Sequence, residues 1–299
     1  MSRSETSVSS VFDLDLRDPE VVSGLFRSAT EQIYEHPLRR GSSVHLPARG
    51  RLLVTGDLHD HARNFQRILR LASLEKSRDN YLVLHEVVHG PNFVNGADLS
   101  VRMLGRLAGL MQAFPGQVLP MMGNHELAQL RGEGISKDAV NVVQAFDAGV
   151  DFLYAGDAPV VHEAALEFIE AMLLAVRCEN GVMVSHSLPS AKDIEQFDPA
   201  VLDRQPTLDD LRPGGSARLM VWGRRHTQKI LDELGEAWGA EVFLTGHQPA
   251  PTGYEFEGEN MLILASDHDR GVALPVELSE RTTRDELADF IFPLASLES

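Results

Sequence analysis

Residues 51–59 read RLLVTGDLH, an apolar run closed by Gly56 and followed by Asp57 and His59. A short run of this kind ending at glycine suits a buried strand. Side chains two apart in an extended segment point the same way, so Asp57 and His59 can offer an oxygen and a nitrogen to one metal ion. The chain on either side alternates in type. Helical spacing covers Arg17–Glu35 through Val21, Val22, Leu25, Phe26 and Ile33, and covers Ala62–Leu74 through Phe65, Ile68, Leu69 and Leu71. A strand is expected at Tyr81–Leu84, a helix over Leu99–Phe114, a strand at Val118–Met122 and a helix opening near Glu126. Further on come helices over Asp138–Phe152 and His162–Leu174, then a hairpin over Leu174–Ser185 turning at Asn180-Gly181. A helix over Arg225–Trp238, a strand at Glu241–Thr245 and a run of strands across Gly253–Glu277 follow. Strands that alternate with helices early and succeed one another late indicate an α/β sandwich with mixed sheets.

The length, 299 residues, accommodates one large domain or two smaller ones at roughly 150 residues each. With 43% hydrophobic and 24% charged residues the chain can bury a sizeable core. Its net charge of −17 repels polyanions and argues against a long nucleic acid as partner. One cysteine, Cys178, cannot form an internal disulfide, and the first twenty residues hold no apolar stretch resembling a signal peptide. A cytoplasmic setting is therefore expected. No apolar run approaches the roughly eighteen residues needed to span a bilayer. Residues 1–15, polar and rich in serine, are expected to form a flexible tail ahead of a single domain over residues 16–299.

Several strands end in metal-capable side chains, as do ligand sites beyond the carboxyl ends of strands in open α/β sheets. Besides Gly56-Asp57-Leu58-His59 these are His85-Glu86-Val87-Val88-His89-Gly90, Gly123-Asn124-His125-Glu126, Ser185-His186-Ser187 and Gly246-His247-Gln248-Pro249. The second also matches HExxH, in which two histidines one helical turn apart bind zinc and the glutamate serves as base. That reading needs a helix. Tyr81-Leu82-Val83-Leu84 reads as a strand, Val87 and Val88 are β-branched, and Gly90-Pro91 would stop a helix at once. A zinc peptidase would also leave the other clusters unexplained.

Taken together in this order, GDLH, HEVVHG, GNHE, VSHS and GHQP resemble the calcineurin-like metallophosphoesterases, within them the branch of serine/threonine phosphoprotein phosphatases and bacterial diadenosine tetraphosphatases. The resemblance runs from about Arg51 to Leu274. It implies a four-layer α/β/β/α sandwich of two mixed β-sheets flanked by helices, with a helical insertion over about residues 130–175. It further implies two divalent ions, manganese, iron or zinc. Asp57 and His59 would bind the first and Asn124, His186 and His247 the second.

The family's middle motif, GDxxDR, is altered here. Glu86 stands for the bridging aspartate, His85 for the preceding glycine, His89 for the second aspartate and Gly90 for the arginine. Glu86 can bridge through a stem one methylene longer, and His85 could add a ligand. The acid that orients the GNHE histidine, here His125, is replaced by His89, which cannot supply its negative charge. Arg224 or Arg225 could take over as phosphate clamp. Asp60 also stands where the family usually has glycine.

The implied reaction is hydrolysis of a phosphomonoester or phosphoanhydride by direct attack of a hydroxide bridging two ions about 3.5–4 Å apart. His125 would donate a proton to the leaving oxygen and Arg224 would stabilise the phosphoryl charge. The phosphorylated substrate could be a phosphoprotein, a nucleotide or a dinucleoside polyphosphate, with residues 130–175 and 190–216 shaping the entrance. The competing reading is a catalytically weak relative acting as a regulatory module that binds metal or a phospholigand.

Overall fold

The computed structural model describes residues 8–137 and 140–297. Two mixed sheets flanked by helices build it. Seven strands form one sheet in the order Arg39–Arg40, Ser43–Leu46, Ala175–Cys178, Val182–Ser185, Val242–Thr245, Met261–Leu264, Tyr254–Glu257. Five form the other, in the order Phe292–Pro293, Val272–Glu277, Arg51–Asp57, Asn80–His85, Val118–Met121. In the second sheet Arg51–Asp57, Asn80–His85 and Val118–Met121 run parallel, linked by the helices Ala62–Ala72 and Val101–Ala113, while Val272–Glu277 pairs antiparallel to Arg51–Asp57. Buried on both faces, Leu52, Leu53 and Val54 explain why the central strand reads as a continuous apolar run.

The first helix, Pro19–Tyr34, starts where Asp18 accepts hydrogen bonds from the Glu20 and Val21 amides. Its buried face, Val22, Leu25, Phe26, Ala29 and Ile33, keeps helical spacing. Phe26 stacks on Phe168 with ring centroids 5.8 Å apart, joining this helix to Ala158–Ala171 within the 130–175 segment. The buried apolar residues form one contiguous cluster that reaches from Val11 to Leu294.

Several boundaries depart from the periodicity. Of the tail expected over residues 1–15, residues 1–7 lie outside those described. Val8–Phe12 is a 3-10 helix, with Val11 buried and Phe12 edge-on to Phe65. Leu14 and Leu16 then sit over Gly109 and Gly105 of the helix Val101–Ala113. The helix expected from Asp138 begins at Val142, where the Asn141 side chain caps it, and Ser136–Lys137 pairs with Val140–Asn141 just before; Asp138 itself lies outside the described residues. The helix expected from His162 starts four residues earlier, at Ala158, with a proline in its first turn. The helix expected from Arg225 starts at Gln228, because Arg225 takes a left-handed φ of 61°. In the hairpin Ala175–Ser185, Gly181 supplies the positive φ of 90° and its amide bonds the Cys178 carbonyl.

Asp57 is where the two sheets meet. It forms an isolated bridge with Ala265, just past the strand Met261–Leu264, and its carbonyl accepts the Ser266 amide at 3.0 Å. The carboxyl ends of strands from both sheets thus open onto one place.

Candidate metal centre

Each metal-capable cluster lies at or just past the carboxyl end of a strand. Asp57 and His85 close their strands, and His186 and His247 follow Val182–Ser185 and Val242–Thr245. Asn124 and His125 open the helix Asn124–Arg131 after Val118–Met121. Asp57, His59, Glu86, Asn124, His125, Arg224 and His247 line one open cavity of about 390 Å³. His85 and His186 lie beneath it, fully buried.

Glu86 stands between two sets of nitrogens. Its Oε1 is 3.3 Å from His59 Nε2 and 3.9 Å from His125 Nε2, whereas its Oε2 is 3.2 Å from His186 Nε2. Asn124 Oδ1 lies 3.1 Å from His186 Nε2 and 2.7 Å from His247 Nδ1. Both oxygens of Asp57 face the His247 amide at 3.0 Å, and Asp57 Oδ1 is 3.5 Å from His186 Nδ1. Among the described residues two groups of donor atoms are tight enough to hold an ion, each within 4.8 Å: Asp57, His85 and His186, and His59, Glu86 and His125. This partition differs from the one the family resemblance implies, because His85 joins Asp57 and His125 sits beside His59.

Among the described residues, both ring nitrogens of His85, Nδ1 of His186 and Nε2 of His247 are buried with no partner in hydrogen-bonding geometry. Leaving a buried polar atom unpaired costs about 1–3 kcal/mol, so four such nitrogens beside Asp57 and Glu86 fit a site built for cations. Burial pushes the His85 imidazole down to about 3. Burial, then the nearby Arg224 charge, does the same to His247, and His186 is held well below its usual range by burial and neighbouring histidines. All three stay neutral, the form that ligates a metal. The same burial raises the Asp57 carboxyl.

The backbone is bent to present these groups. His59, Asp60, Glu86, His89 and His247 all adopt left-handed φ between 38° and 67°, a region that β-carbon-bearing residues usually avoid and that concentrates at functional sites. The Glu86 carbonyl accepts the Leu58 and His59 amides, and His59 Nδ1 meets the Val88 carbonyl at 3.0 Å, which leaves Nε2 toward Glu86. Two motif glycines make room for carboxylates. A β-carbon on Gly123 would collide with the Glu86 and Glu126 carboxylates, and one on Gly246 with that of Asp57.

HEVVH is not helical. Its strand ends at His85, and His85 groups with Asp57 and His186 while His89 belongs to neither donor group, so the paired zinc histidines of a peptidase do not form. His89 Nδ1 instead meets His125 Nδ1 at 2.9 Å. Gly90 is also explained: a β-carbon there would lie 2.5 Å from Asp60 Cβ and 2.8 Å from the His59 carbonyl oxygen. Asp60 fills the space into which a side chain at position 90 would emerge.

Some site residues have no role assigned to them in the sequence reading. Glu126, fully buried, accepts the amides of Val87, Val88 and Gly123 and so ties the altered loop to the GNHE turn. Its place at the third position of the helix was the available signal. Gln248, Pro249, Asp267 and His268 complete much of the cavity wall. Among the described residues, neither the 130–175 insertion nor the 190–216 loop lines the cavity.

The pattern of the calcineurin-like phosphoesterases matches residues 50–274. The chain belongs to that family. This calcineurin-like phosphoesterase shares its fold with a protein serine/threonine phosphatase from Saccharomyces cerevisiae that has similarity to human phosphatase PP5. The TM-score is 0.65 at 16% identity, over 99% of this chain and 100% of that one. A cold-active protein-tyrosine phosphatase of a psychrophilic Shewanella species matches with a TM-score of 0.51 at 13% identity, over 79% of this chain and 77% of that one. At these identities the likeness speaks for the fold. The comparison with curated proteins finds no match. No helix among the described residues is long and apolar enough to cross a membrane.

Proposed function

We propose that this family member is a metal-dependent phosphatase with a centre for two divalent ions, manganese, iron or zinc. The observation that carries the reading is the position of Glu86, whose two oxygens face separate sets of histidine nitrogens. On the partition the family resemblance implies, Asp57 and His59 would hold one ion and Asn124, His186 and His247 the other. On the donor atoms' own grouping His85 and His186 fall with Asp57 and His125 with His59, and Glu86 would stand between the two sets in either case. When bound, the ions supply Lewis acidity toward a phosphoryl oxygen and toward water.

The chain's own groups do the rest. His125 faces the cavity and, as imidazolium, gives a proton to the leaving oxygen. The Arg224 guanidinium lies on the cavity wall, where it binds the equatorial oxygens on which charge spreads. Among the described lining residues Arg224 is the one lysine or arginine, and Asp267 adds a carboxylate. That balance suits a single phosphoryl group better than a polyphosphate chain, so a phosphomonoester is favoured over an anhydride. A cytoplasmic protein is in keeping with the single cysteine, Cys178, which is buried and unpaired.

The test is hydrolysis of para-nitrophenyl phosphate after chelation, with manganese, iron, zinc and nickel restored in turn. Metal-restored turnover supports the reading. Metal binding without turnover on that ester or on a wider phosphoester panel supports the binding module instead, a reading favoured by the loss of a carboxylate beside His125. Activity indifferent to chelation contradicts both.

A further inference from the structure

His125 is connected to the surface by hydrogen bonds whose directions the chemistry of each group dictates. His89 Nδ1 lies 2.9 Å from His125 Nδ1, and His89 Nε2 lies 3.0 Å from Gln129 Oε1. Gln129 Nε2 donates to Asp147 Oδ1 at 2.7 Å, and His162 Nε2 reaches the same oxygen at 2.9 Å. His89 and Gln129 are buried, whereas the Asp147 and His162 side chains are partly exposed. Phe146 packs edge-on to the His89 ring, so the helix Val142–Tyr154 supplies both the packing for His89 and the charge at the outer end.

The directions follow from the outer end inward. An ionised carboxylate only accepts, so Gln129 must turn its NH₂ toward Asp147 and its carbonyl oxygen toward His89. Burial works against the Asp147 charge, but hydrogen bonds from His162 and Gln129 overcome it and hold the carboxyl below its usual range. An amide oxygen likewise only accepts, so a neutral His89 carries its proton on Nε2 and a lone pair on Nδ1. His125 Nδ1, facing that lone pair, must then be the protonated nitrogen.

We infer that Asp147, Gln129 and His89 are positioning residues that lock His125 as the Nδ1–H tautomer and leave its Nε2 to exchange a proton in the cavity. The inference rests on the proposed role of His125. The relay restores, through two neutral groups, the orientation that a carboxylate at position 89 would impose directly. It delivers the Asp147 charge only at a distance. The insertion therefore contributes to the site through Asp147 rather than through the cavity wall.

Long-range proton–nitrogen NMR correlation on metal-free protein with ¹⁵N-labelled histidine tests this without any enzyme assay. The expected spectrum shows His125 protonated at Nδ1 and His89 protonated at Nε2. Asp147→Ala, a change at the partly exposed end, should mix the tautomers of both rings, and Gln129→Leu should do so more completely. A wild-type His125 protonated at Nε2, or an unchanged tautomer pattern in both variants, overturns the relay.

Kinetics supplies a second arm. In the metal-loaded enzyme Gln129→Leu should lower kcat on phenyl phosphate, a poor leaving group, by about 10–100-fold. The loss should be much smaller on para-nitrophenyl phosphate, and KM should hold on both. Equal losses on the two esters contradict the assignment, since a merely structural defect would not discriminate between leaving groups. An inactive wild type would overturn the proposed function, while the tautomers would still decide whether the relay exists.

Discussion

Asp60 and Gly90 share one space: a β-carbon on Gly90 would lie 2.5 Å from Asp60 Cβ. The two departures from the family motif, a larger residue at 60 and a smaller one at 90, are thus one reciprocal exchange. Gly90→Arg alone is expected to destabilise the protein by about 1–3 kcal/mol, the usual cost of overpacking. Asp60→Gly in the same chain should recover part of that loss, the close approach to the His59 carbonyl oxygen at 2.8 Å remaining. Denaturant unfolding of the two single variants and the double variant checks the coupling, and additive effects would contradict it. Any attempt to rebuild the family motif by Glu86→Asp, His89→Asp and Gly90→Arg needs the fourth change at Asp60.

Asp57→Asn and His247→Ala should each abolish metal loading and hydrolysis while leaving a folded chain. The strands behind them are held by their own apolar cores, Leu52–Val54 and Val242–Leu244. Circular dichroism and elemental analysis, read together with turnover, check this; unaltered turnover in both variants would contradict it.

Phe168 is fully buried and stacks on Phe26 of the first helix. Truncating it to alanine removes that contact and opens a cavity, with an expected loss of about 3–5 kcal/mol in urea unfolding. Phe168 lies outside the cavity lining, so the metal content of the folded variant should stay at the wild-type value.

The outer pair, Asp147 and His162, gives a pH dependence with a definite sign. The hydrogen bond that the His162 imidazole donates to Asp147 raises it above its ordinary 6.5, so its contribution to stability is complete below 6.5 and is lost as pH rises through the folded value. Asp147 is held below its ordinary 3.8, so its contribution is present above 3.8 and is lost as pH falls through the folded value. The pair therefore stabilises most between those two ordinary values. Both side chains are a third or more exposed, so the effect on stability is small. NMR titration is the sensitive measure. Asp147→Asn should bring the His162 midpoint down toward 6.5, and an unmoved midpoint would contradict the pairing.

Much of this architecture was legible because local signals agreed. RLLVT reads as a buried strand and is one; GDLH, GNHE and GHQP lie at strand ends, and Asp57, His59, Asn124, His125 and His247 from them line one cavity. Even the non-helical HEVVH was readable, from its valines and Gly90-Pro91. The failures share a physical cause. Arg225 and Glu86 adopt left-handed backbone that no composition announces, and Val11 is buried by tertiary packing that a serine-rich neighbourhood conceals. Gln129 and Asp147 belong to no motif; only the fold brings them to His89. The compensation of Gly90 by Asp60 was visible as two separate departures and becomes one fact only in space.

The central claim, that Glu86 serves two ions at once, is tested most directly by counting metals. Elemental analysis of protein saturated with manganese and freed of excess should give about two ions per chain in the wild type and one or none in Glu86→Ala. Equal metal content in both proteins, or a wild type that retains none, would contradict the account.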